Sequence, residues 1–127
     1  LFIMDNYKVK AIKNYNTDFR YDLELGQLGE KHLGKILDNK KVEVKTDYQA
    51  MQTGNLFIEY YSRGKASGIT TTEADWFAFI LSNEKLIFIS TKKLKDICRP
   101  YLWTNRDVKG GDDNTSQGIL LPIKDLL

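Results

Sequence analysis

At Leu37 the apolar residues change from steps of three and four to strict alternation, and no single element type accommodates both periods. Upstream, Leu25, Leu28, Leu33, Ile36 and Leu37 form one stripe, which predicts a helix from Asp22 as N-cap to Leu37, with DNKK as its exit. Downstream, KKVEVKTD (40–47) reads as a strand with Val42, Val44 and Thr46 on one face and Glu43, Lys45 and Asp47 on the other. After the connection YQAMQTG (48–54), NLFIEYY (55–61) is a second strand, with Leu56, Ile58 and Tyr60 together on one face. WFAFIL (76–81) and LIFIS (86–90) read as a hairpin of buried strands, and GILLPI (118–123) as a last one. Ser90 or Thr91 caps a helix through Leu94, Ile97, Cys98 and Tyr101, which Pro100 ends or kinks. The stretches 62–73 and 104–117 read as polar loops, the second of them mobile.

The resulting order α-β-β-β-β-α-β defines an α/β or α+β domain, a mixed central β-sheet flanked by helices. Residues 22–127 are expected to form that single domain. Residues 1–21 are an N-terminal extension, with 5–20 either a short edge strand or a docked arm. Met4 is a candidate start, and LFIM is too short for a signal peptide and has no small-residue cleavage site behind it.

Composition narrows the chemistry. With 42% apolar and 28% charged residues the chain is globular, and no apolar run approaches the ~20 residues of a membrane span. A net charge of +2 permits a local nucleic-acid-binding patch without arguing for one. The lone Cys98 cannot form an internal disulfide and fits a reducing, cytoplasmic compartment. The lone His32 excludes multi-histidine zinc sites. Metal chemistry in this chain therefore falls to carboxylates, which prefer hard ions such as magnesium.

Two places carry acids in an unusual setting. Within the predicted helix Gly26, Glu30 and Gly34 share one face, and each glycine costs roughly 1 kcal/mol against alanine. Close approach of a backbone or ligand beside Glu30 would account for them, and so would tight packing. On the strand, Glu43 and Lys45 stand side by side in a segment whose apolar neighbours indicate a central strand, where charges are normally depleted. A carboxylate that holds a divalent ion, beside a lysine that stabilises developing charge, suits phosphodiester hydrolysis. A surface ion pair is the plain alternative.

The segments GQLGEKHLGKIL (26–37) and VEVKTD (42–47), with TGNLFIEYYSRGKASGITTTEADWFAFIL (53–81), resemble the PD-(D/E)XK nuclease superfamily, and its phage- or virus-type branch in particular. The likeness covers about residues 22–90, and VEVKTD with the later SGI and AD segments carries it. It implies a restriction-endonuclease-like core, a magnesium cofactor for which manganese substitutes, and DNA as partner. Glu43 and the Val44 carbonyl would ligate the metal, Lys45 would be the catalytic lysine, and Glu30 would complete the metal or water site. The usual further aspartate is missing from its place. Asp38 is the nearest upstream acid, with Asp47 and Glu59 as alternatives.

Arg63, Lys65, Ser67 and the threonines Thr70 to Thr72 would contact phosphates, unless this is simply a solvated loop. Tyr60, Tyr61 and Trp76 are better explained as core than as base-stacking groups. The expected function is thus a metal-dependent DNA endonuclease of intracellular, virus-encoded type, with a two-fold homodimer offering two sites to two strands. A catalytically impaired DNA-binding or assembly module is the alternative, and an interaction domain with a surface ion pair is the third.

Overall fold

The computed structural model describes residues 2–5, 8–11 and 19–127, with side chains from residue 23 onward. By contact the chain divides after Lys40, not after residue 21. The first unit pairs β1 (Phe2–Asp5) with β2 (Lys8–Ala11) as an antiparallel hairpin and adds α1 (Phe19–Leu37). The expected N-cap Asp22 lies inside α1, which begins at Phe19. The helix stops where predicted: the Asp38 amide still donates to the Gly34 carbonyl at 2.8 Å, and Asn39 turns left-handed at φ +52°. The remainder of the 5–20 segment, residues 6, 7 and 12–18, lies outside the described residues.

In the second unit, residues 41–127, the strands build two sheets rather than the one expected. The first is mixed: β3 (Val42–Thr46) runs parallel to β6 (Trp76–Ser82), which pairs antiparallel with β7 (Lys85–Ser90). The second is antiparallel, in the order β5 (Lys65–Ala66), β4 (Asn55–Ser62), β9 (Ser116–Pro122) and β8 (Asp107–Gly110). Strand β8 occupies part of the stretch read as a mobile loop. Alternation underlies the packing. Leu56 and Ile58 of β4, Ile119 and Leu121 of β9, and Phe77, Phe79 and Leu81 of β6 turn inward into one buried cluster. A short helix α2 (Ala50–Thr53) adds Ala50 to that cluster. Helix α3 (Thr91–Cys98) adds Leu94 and Cys98. Ser90 caps α3 through its hydroxyl, which accepts from the Lys93 amide at 3.1 Å, and the helix ends before Pro100.

The expectation that Glu43 and Lys45 sit on a central strand is overturned. Among the described residues β3 is an edge strand paired only with β6, and Val42 and Val44 are 38% and 58% exposed. Alternating valines serve a half-covered edge strand as well as a central one, so the pattern alone did not separate the two.

Asp107, at the start of β8, ties the antiparallel sheet together. It accepts from the Tyr60 hydroxyl at 2.7 Å, from Gln117 at 2.8 Å and from the Trp103 amide at 2.8 Å. Burial opposes its charge, but these three donors outweigh burial and hold the carboxyl below the usual carboxylate range. Burial first, and the bond to Asp107 second, push the Tyr60 phenol up to about 12. An unfolded tyrosine ionises near 10, so above that pH the folded chain keeps a proton that the unfolded chain has lost. The Tyr60 contribution is complete below pH ~10 and disappears as pH rises through about 12. The Asp107 contribution runs the other way, present above pH ~4 and lost on acidification. Tyr60→Phe should therefore flatten the loss of stability between about pH 10 and pH 12, read as urea midpoints against pH. A wild-type slope in that window would show that the pair does not govern the alkaline limb.

Candidate functional site

Residues 43 and 45 project from the inner face of the β3–β6–β7 sheet, each beside a core phenylalanine: Glu43 is paired in register with Phe77, and Lys45 with Phe79. The inner face is thus apolar along β6 and becomes charged at its edge strand. There the space between the two sheets opens into a cleft of about 250 Å³. Phe57, Ile58 and Glu59 of β4 line it from the other sheet, and Asp47 and Gly68 border it as well. Four predicted site residues therefore share one cleft: Glu43, Lys45, Asp47 and Glu59.

Each of the three carboxylates is held. The Lys45 ammonium lies 3.2 Å from Glu43 Oε2, with the two side chains 54% and 28% exposed. The Thr72 hydroxyl donates to Glu43 Oε1 at 2.8 Å while accepting from the Ala74 amide at 3.1 Å, so its proton is directed at the carboxylate. The Ser67 hydroxyl donates to Glu59 Oε2 at 3.0 Å. Asp47 Oδ1 accepts from the Ala50 amide at 3.1 Å, holding the entry to α2. Among the described residues, no three of His, Cys, Asp and Glu converge closely enough to form a closed metal cage.

The loop between β5 and β6 does most of this positioning. Asp75 clamps the start of β3 by accepting from the Lys41 amide at 3.0 Å, and the Thr91 hydroxyl donates to the Ala74 carbonyl at 2.8 Å. At Gly68, φ is +53°, and an added Cβ would lie 2.2 Å from the Glu59 carbonyl oxygen. Only glycine permits that approach, which brings Ser67 to the Glu59 side chain.

The other expected residues fall elsewhere. Glu30 lies in α1 and Asp38 just beyond it, both in the first unit. Val44 turns its side chain to the outer face with Ala78, Ile80 and Leu86. Arg63 and Lys65 are exposed on the β4–β5 turn, where Arg63 and Gly64 have φ of +50° and +81°. Ser67 holds Glu59 rather than offering itself to phosphate, and Thr70 donates to the Tyr60 carbonyl at 3.0 Å. Trp76 stacks on Phe88 with ring centroids 4.9 Å apart. Sequence reasoning missed the role of Thr72 as partner of Glu43. A threonine two residues before AD is the only trace it leaves in the sequence.

Thr72→Val keeps the shape and removes both hydrogen bonds. It should destabilise the chain by about 1–3 kcal/mol and, where Glu43 binds a metal, weaken that binding about 10–100-fold. Paired thermal melts with and without divalent ion measure both, and an unchanged melt in either condition would remove Thr72 from the site.

No helix among the described residues is long and apolar enough to cross a membrane. Comparison with family models, curated proteins and solved structures finds no match to this chain. The mixed α+β architecture and the cleft therefore stand on their own residues.

Proposed function

We propose that the chain is a magnesium-dependent nuclease of the PD-(D/E)XK type that hydrolyses DNA phosphodiester bonds, most simply as an endonuclease. The observation that carries this reading is the Glu43–Lys45 pair at the mouth of a cleft which Asp47 and Glu59 also line. Oxygen donors suit a hard cation, and magnesium commonly keeps several waters and takes only one or two protein carboxylates. Glu43 with Glu59 or Asp47 fits that open arrangement; a closed cage is not required. When bound, the ion would polarise the phosphate and lower the pKa of the attacking water. Lys45 would then stand beside the charge that develops on phosphate oxygens. Glu30 and Asp38 belong to the proposal only through the sequence resemblance.

A second reading, a nuclease fold that binds DNA without cutting, draws on a specific observation. The Glu43 carboxylate is already engaged by Lys45 and Thr72, and no three-acid cage is present among the described residues. Calorimetric titration of magnesium or manganese into wild type and Glu43→Gln, with nicking of supercoiled and branched DNA, separates the two. Binding of the ion and nicking, both lost in the variant, supports the enzyme. DNA binding with neither supports the module.

A further inference from the structure

A second pocket, of about 300 Å³, opens between α3, β4 and β9, and Ile58 and Ile69 border both it and the Glu43–Lys45 cleft. Its walls are mostly apolar, with Leu102 and Ile119 beside the two shared isoleucines, and Tyr60 and Thr70 add an aromatic ring and a hydroxyl. The Cys98 thiol in the wall is pushed up to about 12 by burial, so it adds no charge to the interior. Lys95 and Arg99, one turn apart on α3 and its extension, are exposed and also line the pocket, and Arg99 shares its charge with Asp96 at 3.0 Å.

An apolar chamber with cations on its border matches a ligand that is flat and weakly polar at one end and anionic at the other. A single nucleotide unit has that form. A base within a duplex does not enter, because its faces are stacked and its pairing edge is covered, whereas an unpaired or extruded base is free to do so. We infer that this pocket receives an unpaired base of a DNA strand that also reaches the adjoining Glu43–Lys45 cleft, with Lys95 and Arg99 beside the phosphate of the nucleotide whose base is held. The inference rests on the nuclease reading for its choice of strand, and it makes the preferred substrate single-stranded or branched rather than continuous duplex.

The test uses the full chain in EDTA, so that binding is read without cutting. Fluorescence anisotropy follows a labelled single strand of about twelve nucleotides and a hairpin duplex of the same sequence. Wild type is expected to bind the single strand more tightly. Lys95→Glu and Leu102→Trp should each weaken that binding about tenfold, and Lys93→Glu, an exposed charge on α3 outside the pocket, about twofold or less. Lys95→Glu alters only an exposed side chain, so it tests the inference even where Leu102→Trp disturbs folding. Equal losses from Lys95→Glu and Lys93→Glu, or wild-type binding that favours the duplex or neither DNA, would overturn it. A folded Leu102→Trp with unchanged affinity would do the same. Selective loss in these variants alongside absent nicking would reject the nuclease reading and keep the pocket. Nicking with no selective loss would reject the pocket and keep the nuclease.

Discussion

If the proposed nuclease reading holds, Lys45→Ala should lower magnesium-dependent nicking about 10²–10³-fold, the range for removing one donor aimed at developing negative charge. Glu43→Gln should lower it at least as far, because the amide keeps the shape but loses the charge that attracts a cation. Neither change should cost much stability. The pair spans 3.2 Å with the lysine more than half exposed, and such pairs contribute about 0–1 kcal/mol. That separation between large kinetic loss and small stability loss is the diagnostic feature. An ordinary surface pair predicts no kinetic effect, and a folding role predicts a large fall in melting temperature. The measurement is single-turnover nicking across magnesium concentrations, together with thermal melts of the same preparations. Nicking that survives both substitutions would end the nuclease reading.

Gly68→Ala carries the largest expected stability effect. Its φ of +53° disfavours any side chain, and the new Cβ would sit 2.2 Å from the Glu59 carbonyl oxygen and 2.8 Å from its carbon. Those are backbone atoms of β4, which pairs with β9 at Glu59–Gly118, so the neighbour cannot simply rotate away. Backbone strain of about 1–3 kcal/mol and overpacking of similar size act together. We expect a loss of about 2–6 kcal/mol in urea unfolding. Gly64, with φ +81° but open space around an added Cβ, is the control: Gly64→Ala bears the conformational cost without the collision. Equal losses at the two positions would show that the close approach to Glu59 is unimportant. Because Ser67 and Glu59 meet across this contact, a folded Gly68→Ala protein should also bind divalent ion more weakly than wild type if Glu59 takes part in the proposed metal site.

Much of the architecture is a local property of the chain. The switch of apolar period at Leu37 marks the end of α1 and the approach to β3, because 3.6-residue and two-residue repeats expose different faces. Alternation located β4, and apolar runs located β6, β7 and β9, to within a few residues; alternation also put Leu56 and Ile58 on one face, which the structure buries. It also put Glu43, Lys45 and Asp47 on one side of a strand, and they do border one cleft. Residue identity alone named the polar groups available there.

Which partners those groups meet was decided by the tertiary structure. Whether β3 is central or at an edge depends on hydrogen-bonding neighbours distant in sequence, and β6 supplies one on a single side. Division of the strands between two sheets followed from long-range pairing of β4 with β9, which no local period encodes. The same pairing gave part of the stretch read as a loop a place as β8, since a short polar strand forms when its backbone groups find a partner in β9. Thr72 reaches Glu43 across 29 positions of sequence, and Gly68 reaches Glu59 through a left-handed turn. Side-chain chemistry was legible one residue at a time; proximity was not, because it arises only when separate segments bury their apolar faces together.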